Sequence, residues 1–209
     1  MGITTSEISR YVQEVSEFLN MPADQMKRGN AVPEQGKDGL FETAEAAVDA
    51  AIYAQKKLMD FSLEDRERFI GAMRAATREN ARMLAELAHQ ETGYGHVDDK
   101  VAKNLLAANK TPGTEDLKTL AKSGDDGLML TEMAPFGVIG SITPSTNPTA
   151  TIINNGISMI AAGNAVVFNP HPGAKKASCT TIQVLNRAIV AAGGPANLLC
   201  APANPTMDT

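Results

Sequence analysis

The chain has no tryptophan, and only six phenylalanines and three tyrosines among its 209 residues. A packed core must therefore rest on Ala, Val, Ile, Leu and Met, and the ten methionines read as filler in it. The 43% apolar share excludes a disordered tail. Cysteine is equally scarce. Cys179 and Cys200 show no CxxC spacing and no paired histidine, which excludes a disulfide framework and fits a reducing, cytosolic setting. Positive charge is short: 19 Lys and Arg face 24 Asp and Glu, for a net charge of -5 and no basic cluster. That argues against a nucleic-acid surface, whose affinity comes from phosphate neutralisation. No membrane span is expected, since the most apolar window, residues 151–168, holds Asn154, Asn155 and Asn164. The first 20 residues have no basic start and no apolar signal-type segment. Neither GxGxxG nor GxxxxGK[ST] occurs. His89 and His96 lack a partner at metal-ligand spacing, so no metal is expected and both read as surface or loop residues.

What remains is periodic. In residues 1–20, Thr4 and Glu7 match a capping box, and Ile8, Val12, Val15 and Leu19 recur at helical intervals. This predicts an amphipathic helix, followed by a Gly-, Pro- and charge-rich linker over residues 21–39. Such a helix either docks elsewhere or packs on its own domain, and the stripe suits both. The globular body is expected over residues 40–209. It should open with helices over 43–59, 62–92 and 97–109. Their inward stripes are Ala47, Ala51, Ala54 and Leu58; Phe69, Met73, Ala76, Met83, Leu84 and Leu87; and Val101 with Leu105. Residues 113–127 read as polar and mixed, and residues 128–133 alternate as a half-exposed strand would. Residues 136–142, 164–168 and 197–200 read as buried strands, separated by helices over 148–162 and 173–192. Gly193 and Gly194 read as a helix end. Strand and helix alternation at this spacing predicts an α/β fold with a parallel sheet.

Two loops carry the chemistry. Thr143, Pro144, Ser145, Thr146 and Asn147 follow a predicted strand and precede Pro148, which suits a first helical turn. Asn169, Pro170, His171, Pro172 and Gly173 do the same one unit later. Both should lie at the carboxyl edge of the sheet, where open α/β sheets bind ligands. A helix N-terminus offers free N–H groups and a positive dipole end to an anion. Asn147 has two readings that compete for one side chain: a cap on its own helix, or a donor to a substrate oxygen. His171 reads either as a ribose or phosphate contact or as a solvent-facing loop residue. Cys179, beside Lys175 and Lys176 at a helix start, invites a nucleophile reading, yet no base is placed for it and a buried, inert thiol fits better.

PFGVIGSITPSTNPTAT, NNGISMIAAGNAVVFNPHPGAKKAS and HQETGYGHVDDKVAKNLLAANKTPG resemble the aldehyde dehydrogenase superfamily, in its coenzyme A-acylating branch. The hydrolytic branch differs, with a Pro-Trp-Asn first loop and a lysine in the second. The resemblance implies an aldehyde dehydrogenase-like fold: amino-terminal helices plus the first part of a Rossmann-type sheet, incomplete by Thr209. It implies oxidation of a short-chain aldehyde to acyl-CoA, with NAD as cofactor, coenzyme A as co-substrate and a cysteine thioester. Asn147 would stabilise the oxyanion. Ile142, Thr143, Pro144, Ser145 and Thr146 would line the nicotinamide side, and Asn169, Pro170, His171, Pro172 and Gly173 the adenosine side. Neither cysteine matches the nucleophile position, so the nucleophile is expected beyond this chain, which alone would be inactive and prone to aggregate. NAD over NADP is an expectation of the family. A homo-oligomer of the complete protein, a cytoplasmic site inside a bacterial microcompartment, and a shell partner for residues 4–20 are implied in the same way. A non-catalytic docking fragment and a fragment of a hydrolytic enzyme are the alternatives.

Overall fold

The computed structural model describes residues 36–206. The predicted amphipathic helix, and residues 21–35 of the stretch read as a linker, lie outside the described residues. The last four linker residues belong to the body. The Gln183 amide donates to the Lys37 carbonyl at 3.3 Å, the Asn186 amide donates to the Asp38 carbonyl at 3.0 Å, and Arg187 pairs with the Asp38 carboxylate at 2.7 Å. Gly39 has φ 93°, and a Cβ there would collide with the Asn186 amide and the Leu199 carbonyl. Only glycine fits this entry into the sheet.

Strand β1 (Leu40–Phe41) leads to helix α1 (Ala44–Leu58), helix α2 (Leu63–Thr92) and helix α3 (Val97–Lys110). Hairpin strands β2 (Leu120–Gly124) and β3 (Gly127–Thr131) come next, then β4 (Val138–Thr143), α4 (Pro148–Ala161), β5 (Ala165–Pro170), α5 (Lys175–Ala191) and β6 (Leu199–Pro202). The main sheet runs β1-β6-β5-β4, all parallel. Helix α1 packs on one face, α4 and α5 cover the other, and α2 with α3 lie outside those two. The core is aliphatic, as an aromatic-poor composition requires: Ile152, Ile153, Ile157, Ile160, Ile182, Leu185 and Leu199 surround Phe69 and Phe168.

The helix termini follow local chemistry. Thr43 accepts from the Ala46 N–H at 3.2 Å. Ser62 and Asp65 form a reciprocal capping box, and Gly93 ends α2 at φ 70°. Helix α2 then serves the others. Arg66 donates to the Ala161 carbonyl at the end of α4, Arg68 to the Ala192 carbonyl at the end of α5, and Arg74 to the Ala108 and Thr111 carbonyls at the end of α3. Each guanidinium satisfies carbonyls left without a partner at a negative dipole end.

Four expectations need correction. The α2 stripe is Phe69, Ile70, Met73, Thr77, Ala81, Leu84, Ala85 and Ala88; Ala76 and Leu87 are half-buried and Met83 is exposed. Three helices press on α2, so its small residues are buried while a bulky methionine faces out. On α3 the deepest residues are Lys100, Asn104 and Ala108, with Val101 and Leu105 only half-buried. Residues 120–124, part of the stretch read only as polar and mixed, pair with residues 127–131 through the Asp125-Asp126 turn, and both strands are exposed on both faces. Residues 136–142 are no buried strand either. Phe136 is 92% exposed, and β4 is an edge strand among the described residues, with only Ser141 and Thr143 buried.

Candidate functional site

The two loops meet at one rim. Thr143 lies in register with Pro170 across the parallel β4–β5 pair. Just beyond, the His171 N–H donates to the Thr143 carbonyl at 2.9 Å. Thr143 Oγ1 and Asn169 Oδ1, at neighbouring registers of this pair, are buried without a hydrogen-bond partner. Such groups call for a partner, since burial without one costs about 1–3 kcal/mol each. Ile142 is 84% exposed, an apolar side chain at a polar rim.

The first loop is held from one side by α3. Lys100 Nζ donates to the Thr146 carbonyl at 3.2 Å. Lys103 Nζ donates to Asn147 Oδ1 at 3.1 Å. The Thr149 hydroxyl donates to Asn104 Oδ1 at 2.7 Å, and Asn104 Nδ2 donates to the Ala81 carbonyl at 3.2 Å. Residues 100, 103 and 104 are spaced to share one helix face, so three neighbours reach Thr146 and Asn147 of the loop and Thr149 in the first turn of α4. Burial lowers the Lys100 pKa, and the Lys103 charge adds to that effect. A cavity of about 480 Å³ opens here, lined by Tyr94, His96, Asp99, Lys100, Lys103, Thr146 and Asn147. Farther down α4, Asn154, Asn155 and Ser141 form a side-chain chain that ends on β4, with Thr111 donating to Asn154 at its start.

Asn147 does not cap its own helix. Its backbone is at φ -134°, ψ 54°, and its side chain makes no capping bond. Pro148 supplies no N–H, so the first turn of α4 lacks a side-chain cap. The competition between capping and donation is settled against the cap.

The second loop departs from expectation. The Lys176 and Ala177 N–H groups, in the first turn of α5, donate to the two Glu91 carboxylate oxygens at 2.8 and 2.7 Å. This helix start is already filled by an anion of the same chain, so of the two loop helices α4 is the one whose start has no side-chain partner among the described residues. His171 is exposed, and its Nδ1 accepts from the Gly173 N–H at 3.0 Å. Pro172 and Gly173 are exposed and Pro170 is buried.

Neither sulfur is poised for attack. Cys179 is buried on α5, and burial pushes its thiol up to about 11. Burial also raises the Cys200 thiol, whose Sγ lies 3.1 Å from the Asn197 carbonyl. His89 is half-buried, with Nδ1 enclosed and unpartnered, rather than a surface residue. Among the described residues no three His, Cys, Asp or Glu groups converge as metal ligands, and no helix is long and apolar enough to cross a membrane.

The sheet order, the rim and the loop sequences define an aldehyde dehydrogenase-like fold. Residues 29–203 match the Aldehyde dehydrogenase family, and the chain belongs to that family. It is 51% identical over 212 residues to the acetaldehyde dehydrogenase (acetylating) of Bilophila wadsworthia (strain 3_1_6), across 100% of this chain and 43% of that protein. Among solved structures it is similar to a propionaldehyde dehydrogenase from the Clostridium phytofermentans fucose utilisation bacterial microcompartment. That match has a TM-score of 0.80 and 52% identity, covering 81% of this chain and 39% of the other. An engineered glycolyl-CoA reductase with bound NADP+ matches at a TM-score of 0.81 and 45% identity, covering 84% and 40%. The chain spans less than half the length of these relatives.

The residues that sequence reasoning missed are Lys100, Lys103, Asn104 and Glu91. A polar stripe at helical spacing through DDKVAKN was the available signal. A search for apolar periodicity passes over it.

Proposed function

We propose that this chain forms the dinucleotide half of a CoA-acylating aldehyde dehydrogenase. In this reading a short-chain aldehyde, NAD+ and coenzyme A become acyl-CoA, NADH and a proton, by way of a cysteine thioester. The observation that carries the reading is the shared rim: two polar loops tied by the His171–Thr143 bond, with the Asn147 amide free of its own helix.

The rim formed by Thr143 and Asn169 with the open start of α4 would hold the dinucleotide, the first-turn N–H groups of α4 suiting its phosphate groups. The bound dinucleotide supplies a hydride acceptor. NAD rather than NADP is an expectation of the family: residues 169–173 carry neither a lysine for a 2′-phosphate nor a carboxylate for a ribose hydroxyl, and the engineered relative holds NADP+. Asn147 Nδ2 donates to the aldehyde oxygen as it gains negative charge, a contribution that grows toward the transition state. The exposed Ile142 would give an apolar wall beside the nicotinamide. Both cysteines are buried with raised pKa values, which supports a nucleophile from outside these 209 residues.

The microcompartment origin of one relative, with the stripe of residues 4–20, supports a shell partner and a cytoplasmic, encapsulated site. The exposed Leu120, Leu128 and Leu130 of the hairpin support a homo-oligomer.

The test is NADH formation by the full-length protein with propanal, CoA and NAD+. Asn147→Ala is expected to lower kcat about 100- to 1,000-fold, the range for loss of one oxyanion donor. Turnover within about twofold of wild type would remove Asn147 from the chemistry. Product formation that persists unchanged without CoA would favour the hydrolytic class.

A further inference from the structure

Helix α3 has no role in the proposed chemistry by itself, yet it spends two ammonium groups and a buried amide on one loop. Lys100 is only 7% exposed, and its single hydrogen bond is to the Thr146 carbonyl. An ammonium is costly to bury, so this placement asks for a return elsewhere. Asn104 is fully buried and holds Thr149. The chain is thus fixed on both sides of Asn147, at the residue before it and two residues after it.

We infer that Lys103 is a positioning residue for Asn147, fixing which end of its carboxamide faces the substrate. This rests on the reading of Asn147 as oxyanion donor. An amide can flip about its last torsion, and its two ends differ in sign. An ammonium has three donors and no acceptor, so at 3.1 Å it selects the Asn147 oxygen. The NH2 group is then the end turned away from Lys103, with no partner among the described residues. Flipped, the same side chain would present an oxygen to a developing oxyanion and oppose the reaction. Lys103 also polarises the amide to which it donates. Lys103 is exposed on α3, so replacing it leaves the core untouched.

The experiment measures kcat and KM for aldehyde in the full-length protein, for Lys103→Met, Lys103→Arg, Asn147→Ala and the Lys103→Met/Asn147→Ala double variant. Lys103→Met is expected to lower kcat about 10- to 100-fold, with KM changed less than about threefold, as for a misdirected group. Lys103→Arg, which still donates to the oxygen, should restore kcat to within about threefold of wild type. The double variant should be no slower than Asn147→Ala alone, since Lys103 acts only through that amide. Wild-type kcat in Lys103→Met beside a slow Asn147→Ala would overturn the inference and leave the oxyanion reading standing. So would losses that multiply in the double variant. Wild-type kcat in Asn147→Ala would instead overturn the oxyanion reading itself. Melting temperatures of all four variants should match wild type, and a kcat loss that tracks a lowered melting temperature counts against positioning.

Discussion

Asn104 tests the physical claim that α3 is bound to the start of α4 by polar contacts rather than by an apolar stripe. Asn104→Leu keeps the branching and nearly the volume of the side chain but removes both of its polar ends. The Thr149 hydroxyl loses its acceptor at 2.7 Å, and the Ala81 carbonyl loses its donor at 3.2 Å. The Thr149 hydroxyl left unpaired costs about 1–3 kcal/mol, and the Ala81 carbonyl, still bonded within α2, adds little, so the expected loss is about 1–3 kcal/mol. Thr149→Val removes the other partner and should cost about 1–2 kcal/mol, chiefly by leaving Asn104 Oδ1 unmatched. In the double variant Leu faces Val, and the penalty for an orphaned group disappears. The double loss should fall short of the sum of single losses by at least about 1 kcal/mol. Urea unfolding followed by circular dichroism reads this directly. With a slope of about 2–3 kcal/mol/M, a 3 kcal/mol loss moves the midpoint by about 1–1.5 M. A midpoint shift under about 0.2 M for Asn104→Leu, or strict additivity in the double variant, would refute the polar strut.

Glu91→Ala should destabilise the protein by about 1–2 kcal/mol in the same assay, because two first-turn N–H groups of α5 lose a charged acceptor. Glu91→Gln should recover about half of that. Cys179 should alkylate slowly. With its thiol raised to about 11 from an ordinary 9.0, the thiolate fraction at pH 8 falls about 100-fold, which iodoacetamide labelling in native and urea-unfolded protein would compare. Since the folded pKa lies above the unfolded one, the neutral thiol's contribution to stability is complete below about pH 9 and is lost as pH rises toward about 11. Cys179→Ala should therefore flatten this alkaline part of the stability curve, and an unchanged curve would assign it to other groups.

The fold was legible where local rules decide it. Ser62 with Asp65, Gly93 and Pro148 mark helix ends by chemistry that no neighbour can override, and the helices fall within a residue or two of expectation. Parallel strands followed from strand and helix alternation, and the common rim followed from parallel strands. What was not legible depends on partners distant in sequence. The two-residue strand β1 is too short to show a pattern, and it forms because β6 lies beside it. The 120–124 strand has no buried face, so no alternation marks it. Phe136 and Ile142 look like core residues in a one-dimensional count, yet lie on or beside an edge strand. At the site, TPSTNPT and NPHP marked the two loops that the parallel β4–β5 pair brings to one rim. The Asn147 side chain could not be assigned from the loop alone, because Lys103 decides its direction from 44 residues away. Glu91, likewise, is 85 residues from the helix start it fills.

The central claim is that a dinucleotide meets these two loops at one rim. Amide hydrogen exchange of the full-length protein with and without NAD+ measures it peptide by peptide. Slowed exchange should concentrate in residues 142–151 and 169–174, with residues 36–41 and 186–198 at the opposite edge unchanged. Protection confined to that opposite edge, or no protection in either loop at saturating NAD+, would contradict the claim.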